Sequence, residues 1–413
     1  MATGRRHNLL AGIRDVTQSV FNLPGGDALA VDFIVSMIVS NLWSPDADPL
    51  WGWLIGPPGS CKTELVRPLD GYEHVHYLSS LSGAALCSGY DPKGEGKDVS
   101  LLPLLDRKVL VIKDFTAVLG QHPQTLQQIF GDLRDAYDGS YGKHFGTVGG
   151  RNYRVKFGML AAVTPVIDDL AMQQVILGER FLAFRICRGN LYNLDTRITY
   201  LNHVMGAMSK KSSWRTSLQV AWLNGLNHIL KRLPEMVSIS EAAKTTIIHS
   251  ADLVSRFRCI PAVEQVYSAM PQFRDPEIAS RLVNQLANLA MAHAAASDRD
   301  IITEDDLQLV RRVSIDTLPP VAWKTLIGLY RNSNICHDTI HIQQLSHDIR
   351  VPQKTLYLLL SQYETQNLVT SGTASQRQGY TAAHKAMWKL TDDTITQIKT
   401  AGLIRENPYC FEQ

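Results

Sequence analysis

Between about residue 50 and residue 190, short apolar runs alternate with stretches of helical periodicity. The runs are Leu50–Ile55, His74–Leu78, Val109–Ile112, Phe157–Val163 and Phe181–Ile186. Each is short and rich in Val, Ile, Leu or aromatic residues, as strands covered on both faces must be. Their alternation with helices predicts an α/β domain built on a parallel sheet. Ahead of it, Ala28–Leu42 is apolar but carries Asp32, Ser36, Ser40 and Asn41. That pattern predicts a helix with one buried face, not a membrane span.

From about 201 to 318 the periodicity is helical, with Ile278, Leu282, Leu286 and Leu289 on one stripe. Thr303 with Asp306 predicts a capping box, and Pro319-Pro320 closes the region. The last segment predicts a helix from Val321 to about Tyr330 and a second carrying Ile342, Leu345 and Ile349. After a turn at Val351-Pro352 comes a third helix, with Leu356, Leu359, Leu360 and Tyr363 inward. Leu368-Val369 opens a strand, and the polar stretch Ser371–Gly379 separates it from Met387–Leu390. Three helices and a two-stranded wing predict a winged helix-turn-helix. The expected domains are therefore 1–200, 201–318 and 319–413.

Composition adds bounds. With 413 residues, 45% of them hydrophobic, the chain can bury sizeable cores. A net charge of only +2 means that any nucleic-acid surface must be local. Six cysteines (Cys61, Cys87, Cys187, Cys259, Cys336 and Cys410) show no C-x-x-C spacing, which argues against a zinc ribbon. His337, His341 and His347 lack partners at ligand spacing and read as surface side chains. The basic stretch Met1–Arg14 is not followed by a signal-type apolar run, so the cytoplasm is the expected location.

The segment Gly56-Pro57-Pro58-Gly59-Ser60-Cys61-Lys62-Thr63 follows an apolar strand and opens a helix, the context a phosphate-binding loop requires. Backbone N–H groups of such a loop ring phosphates, and the helix dipole adds to the attraction. Lys62 is placed to reach the β- and γ-phosphates of ATP, and the Thr63 hydroxyl to bind Mg²⁺. Cys61 stands where the pattern has glycine, so tolerance of a positive φ is lost there.

With the motifs that follow, the chain from about residue 30 to 315 resembles AAA+ ATPases, and among them the MCM-type DNA helicases. Val109–Phe115 resembles the strand that ends in a metal-associated Asp and a catalytic Glu; here the pair is Lys113-Asp114. The resemblance places Asp114 in the base position, with Phe115 as the aromatic that follows; in the other register Asp114 is the metal-associated Asp. Either way one carboxylate is missing. Leu133–Gly146 resembles the helix and hairpin that carry a lysine into a central pore, which implies DNA contacts by Lys143 and His144 at a Gly-flanked tip. Thr164, ending Phe157–Val163, resembles the sensor that orients the attacking water. Leu177–Phe181 resembles the segment presenting an arginine finger, with Arg180 the candidate and Arg185 the reserve. Pro276–Leu282 resembles a second sensor helix in a lid, with Arg281 facing the γ-phosphate. A finger in trans implies a homo-oligomer, as a hexameric ring or a filament.

On the third C-terminal helix Gln353, Lys354, Tyr357 and Ser361 point outward, with Arg377, Lys385 and Lys389 near the wing, so DNA is the expected partner. Two functions are expected. One is a DNA-dependent ATPase, a helicase or translocase in replication of a phage or mobile element. The other is an ATP-gated DNA-binding initiator or loader. It suits the early position of the phosphate loop, the altered Lys113-Asp114 pair and a winged helix directly after the core.

Overall fold

The computed structural model describes residues 9–23, 25–43, 48–90, 98–146, 148–169, 180–186, 194–208, 211–261, 273–335, 339–372 and 387–404. Helices α1 (Leu9–Phe21) and α2 (Leu29–Trp43) precede strand β1 (Trp51–Ile55) and helix α3 (Lys62–Val66). Then come β2 (Val75–Leu78), β3 (Val109–Ile112), α4 (Thr116–Leu119), α5 (Pro123–Tyr137), β4 (Ser140–Phe145) and β5 (Gly149–Arg154). Strand β6 (Gly158–Val163), α6 (Val166–Asp169), β7 (Phe181–Arg185), α7 (Leu194–Met208) and α8 (Lys211–Leu230) follow. Five of these strands are the five apolar runs, trimmed by one residue or not at all.

Those five strands form one parallel sheet in the order β2-β3-β6-β1-β7. Every residue of β1, β3, β6 and β7 is buried, as two covered faces demand. One face (Trp51, Trp53, Ile112, Ala161 and Phe181 among others) packs on Phe115, Ile129, Phe130 and Leu133 from the α4–α5 side. Trp53 stacks on Phe181 at 4.0 Å between ring centroids. The other face is covered by α2, whose Phe33 stacks on Phe184 at 5.6 Å. Gly52 makes that approach possible: a Cβ there would lie 2.7 Å from Phe33 Cζ.

The helix expected over Ala28–Leu42 exists, but it is not one-sided. Twelve residues of α2, from Ala30 to Asn41, are buried, because the sheet lies on one side and other helices on the rest. Gly26–Trp43 is apolar enough to cross a membrane by composition, and 72% of that window is buried within the fold. Two of its polar residues are held internally: Arg14 pairs with Asp32 at 2.7 Å, and Ser40 donates to the Met37 carbonyl at 3.0 Å. Helix α1 in turn packs on α8, where the Trp222 indole donates to Thr17 Oγ1 at 2.9 Å.

Helices α9 (Glu241–Phe257), α10 (Ser280–Ala296), α11 (Glu304–Thr317) and α12 (Pro320–Tyr330) follow. The remainder is β8 (Ile340–His341), α13 (Ile342–Ile349), α14 (Gln353–Thr365), β9 (Val369–Gly372), β10 (Met387–Leu390) and α15 (Asp392–Ala401). The chain divides into two compact units, one of residues 1–240, 287–310 and 411–413 and one of 241–286 and 311–410. In the second, β8, β10 and β9 form an antiparallel sheet in that order, and Leu326, Leu329, Leu345, Leu356, Leu360 and Trp388 are buried. Gly328 lets α12 and α13 close up: a Cβ there would lie 2.6 Å from Leu345 Cδ1. Ile278, expected on the apolar stripe of α10, precedes that helix and is 83% exposed. Helical periodicity ran past the helix start there.

Thr303 and Asp306 do cap α11, with the Thr303 N–H donating to Asp306 Oδ2 at 2.7 Å. The same carboxylate accepts from Arg299 at 2.8 and 2.9 Å and meets His293 Nδ1 at 2.6 Å, all within the first unit. Burial pushes the Asp306 pKa up. The hydrogen bonds from His293 and Thr303 and the His293 and Arg299 charges outweigh it and hold the carboxyl below its ordinary value. Its stabilisation is therefore complete above the unfolded value of ~3.9 and is lost as pH falls through the lower folded value. Asp306→Asn should cost about 3–5 kcal/mol at neutral pH, the scale of breaking a buried ion pair. In urea unfolding measured across pH, the gap between variant and wild type should close on the acid side.

Candidate nucleotide-binding site

In a parallel sheet all the strand C-termini share one edge, and ligands bind where adjacent strands send their connections to opposite sides. Strand β6 lies between β1 and β3, so the loop after β1, Thr164 after β6 and Asp114 after β3 sit side by side on that edge. The Gly56 N–H donates to the Val163 carbonyl at 3.1 Å, and the Phe115 N–H to the Ala162 carbonyl at 2.7 Å, fixing both loops to β6.

The loop turns tightly on Gly56, where a Cβ would lie 2.5 Å from Ser60 Oγ. Gly59 takes φ +81° with open space where a side chain would be, leaving bare backbone. Cys61 then adopts φ 63°, ψ 5°, the left-handed conformation that glycine would have supplied. The substitution at Cys61 has kept the torsion and accepted the strain, of order 1–2 kcal/mol for an L-residue. Pro57 and Pro58 rigidify the first half of the turn.

The Lys62 ammonium donates to the carbonyls of Gly56 and Pro57 (the latter at 2.8 Å) and to Ser60 Oγ at 3.2 Å. The loop thus holds a cation against its own backbone, beside turn positions with no side chain in the way. That donor set fits a phosphate chain. The Thr63 hydroxyl donates to the Lys113 carbonyl at 3.5 Å, which places it at the end of β3. Asp114 is exposed, and its Oδ1 accepts from the Thr116 N–H at 3.0 Å. Thr116 Oγ1 meets Thr164 Oγ1 at 3.3 Å and accepts from the Thr164 N–H at 3.1 Å. Lys62, Thr63, Asp114 and Thr164 are therefore brought together. Thr63 and Asp114 could serve Mg²⁺, which commonly takes one or two protein oxygens beside phosphate and water. Among the described residues no three His, Cys, Asp or Glu side chains converge as a metal set.

Thr116 was not singled out from the sequence, although Asp114-Phe115-Thr116 ahead of a helical turn is an Asx-capping pattern. Three ion pairs also frame the edge. Arg185 pairs with Ile55 across the sheet and binds Asp168 through two bonds of 2.7 Å. Glu64, next to Thr63, accepts from Arg67 at 3.2 Å and from Arg215 Nε at 2.9 Å, tying α3 to α8.

Arg180 is not part of this edge. It precedes β7 at the opposite end of the sheet, five residues or about 16 Å of strand from the level of Arg185. It is 7% exposed, paired with Asp138 at 3.3 Å and set 5.4 Å from the Tyr137 ring. These contacts of its guanidinium are within the chain. Lys143 is not at a hairpin tip: it lies within β4 opposite Arg151, and its ammonium binds both Asp132 oxygens at 3.1 and 3.2 Å. Strand alternation turns Lys143 inward and leaves His144 exposed.

In the second unit Arg281 binds Glu277 at 2.8 Å, and Arg258 approaches the same carboxylate at 3.6 Å. On α14, Lys354 and Tyr357 are exposed, as is Lys389 on β10. Leu177–Glu179, Arg377 and Lys385 lie outside the described residues. No protein-family profile matches the chain, and no curated protein matches it.

Cys61→Gly should relieve the left-handed strain and keep the loop, raising the melting temperature slightly and preserving nucleotide affinity. Cys61→Val places a β-branched residue at positive φ and should lower both. Thermal melts and titration with a fluorescent ATP analogue check the pair.

Proposed function

We propose that the chain is an AAA+-type protein that binds ATP and uses it to gate contact with DNA. The carrying observation is the single sheet edge where the Lys62 loop, Thr63, Asp114 and Thr164 meet. Hydrolysis should be slow. The edge has Asp114 but no second carboxylate beside it in the strand, since Lys113 stands there, and one Asp114 oxygen already caps the turn at Thr116. Water activation and metal positioning both ask for a carboxylate.

The DNA part rests on the second unit, whose α12–α14 and three-stranded sheet support a winged helix-turn-helix reading. In that reading α14 enters the major groove through its exposed Gln353, Lys354 and Tyr357, and Lys389 on the wing meets phosphate. A second reading, a DNA-stimulated ATPase or helicase in a homo-oligomeric ring, is favoured by the Asp114–Thr116–Thr164 chain of hydrogen bonds.

The test is a filter or anisotropy titration of labelled duplex, with and without ATP and Mg²⁺, alongside steady-state hydrolysis. ATP should tighten DNA binding about 5–150-fold, the usual range of allosteric coupling, and Lys62→Ala should abolish that effect. Lys354→Ala should lower the salt slope of DNA binding by about 1. Turnover that rises strongly with DNA would instead establish the motor. Absence of ATP binding by the wild-type protein would defeat both.

A further inference from the structure

Helix α3 carries Lys62 and Thr63, yet little in its own sequence fixes where it stands. It has five residues, well short of the length at which a helix holds by itself. It opens on the left-handed Cys61 with no side-chain cap, and it ends in the single 3₁₀ turn Arg67–Leu69, which contains Pro68. Leu65, Val66 and Leu69 are buried on its inner side. Apolar burial is non-directional, so it holds the helix down without fixing its rotation.

The directional contacts come from α8. Arg215 Nε donates to Glu64 Oε2 at 2.9 Å and its Nη2 to Glu64 Oε1, a bidentate pair. Farther along, the Gln219 amide donates to the Asp70 carbonyl at 2.8 Å, and the Tyr72 hydroxyl to Asn227 Oδ1 at 3.0 Å. A cavity of about 210 Å³ is lined from both sides, by Glu64, Arg67 and Asp70 and by Trp214, Arg215 and Gln219. The two segments are therefore joined by polar struts around a cavity. Of the three struts, Glu64–Arg215 is the one that reaches the first turn of α3.

Arg215 is itself held in place. It stands one turn before Leu218, Trp222, Leu226 and Ile229, the buried stripe of α8. Its guanidinium carbon lies 5.7 Å from the Trp214 ring centroid, and that ring meets Phe21 of α1 edge-on at 5.5 Å. The pair is only 31% and 20% exposed at its two side chains, which sets it apart from a freely solvated surface pair. Glu64 shares its helical turn with Lys62, whose ammonium donates to the Gly56 and Pro57 carbonyls, and with Thr63, whose hydroxyl donates to the Lys113 carbonyl. Turning Glu64 turns both.

We infer that Arg215 is a positioning residue of the nucleotide site. Acting through Glu64, it holds the first turn of α3 at the rotation in which Lys62 faces the Gly56–Cys61 loop and Thr63 faces the end of β3. Arg215 touches neither nucleotide nor metal. The inference rests on the reading of this edge as a site for ATP and Mg²⁺, and it assigns part of the affinity to a helix outside the sheet.

The test titrates the full-length chain with a fluorescent ATP analogue, in Mg²⁺ and in EDTA, well below the melting temperature. Arg215→Ala should weaken binding about 3–30-fold in Mg²⁺ and less in EDTA, where Thr63 has no ion to hold. Glu64→Ala should lose as much, and adding Arg215→Ala to it should lose little more, because the two residues act as one unit. Gln219→Ala, which frees the far end of the turn, should lower the melting temperature and leave the affinity in place. Arg215→Lys keeps the charge without the fork and should show a smaller loss in the same direction; it carries the same cycle if Arg215→Ala does not fold. Wild-type affinity in Arg215→Ala, an equal loss in Gln219→Ala, an equal loss in Mg²⁺ and EDTA, or a full further loss on top of Glu64→Ala would each overturn the positioning role while the nucleotide site stands. If the wild-type protein binds the analogue under neither condition, both fall.

Discussion

A parallel sheet with both faces covered leaves one edge where all strands deliver their C-terminal ends, and the rest of this molecule is arranged around that constraint. It decides which residues can act together. The Gly56–Cys61 loop after β1, Asp114 after β3 and Thr164 after β6 are distant in sequence but adjacent on the edge because β6 is inserted between the other two strands. The same constraint separates Arg180 from Arg185, which are five residues apart yet at opposite ends of β7. Covering the second face also explains why α2 is buried around its whole circumference although it carries Asp32, Ser36 and Ser40. The cover is two layers deep, with α1 and α8 outside.

The sheet was largely legible because a strand buried on both faces has an unambiguous signature, a short continuous apolar run bounded by loops. The turn from β1 into α3 was legible because its residues are consecutive. Contacts that depend on which way a side chain turns were not. The resemblance placed Lys143 at a hairpin tip, but the face it occupies depends on the register of β4 against β5 and on where Asp132 stands on α5. The contacts of Arg180 with Asp138 and Tyr137, more than forty residues earlier, carry no signal in the neighbouring sequence. Ile278 shows the same limit at a helix end, where apolar spacing continued beyond the first helical residue.

Charge is handled differently in different parts of the fold. Around α11, the Asp306 carboxylate is withdrawn from water and surrounded by His293, Arg299 and Thr303, so the ionic groups act as internal fasteners. In the β4–β5 hairpin, Lys143 and Arg151 are neutralised from within by Asp132 and Asp98, whereas Arg154 faces water. The first arrangement is insensitive to salt and the second is screened by it. A small net charge for the whole chain therefore conceals a strongly uneven distribution.

Cys61 illustrates what a glycine signature stands for. The loop needs a left-handed backbone at this point so that the following N–H groups turn toward a common centre; glycine is the cheapest residue that adopts it, not the only one. Here the flanking turn and the first turn of α3 hold a thiol-bearing residue in that torsion. Recognition of an anion by such a loop is thus a property of successive dihedral angles. A lineage can exchange the letter at this position and keep the site, as long as neighbouring packing continues to enforce the angle.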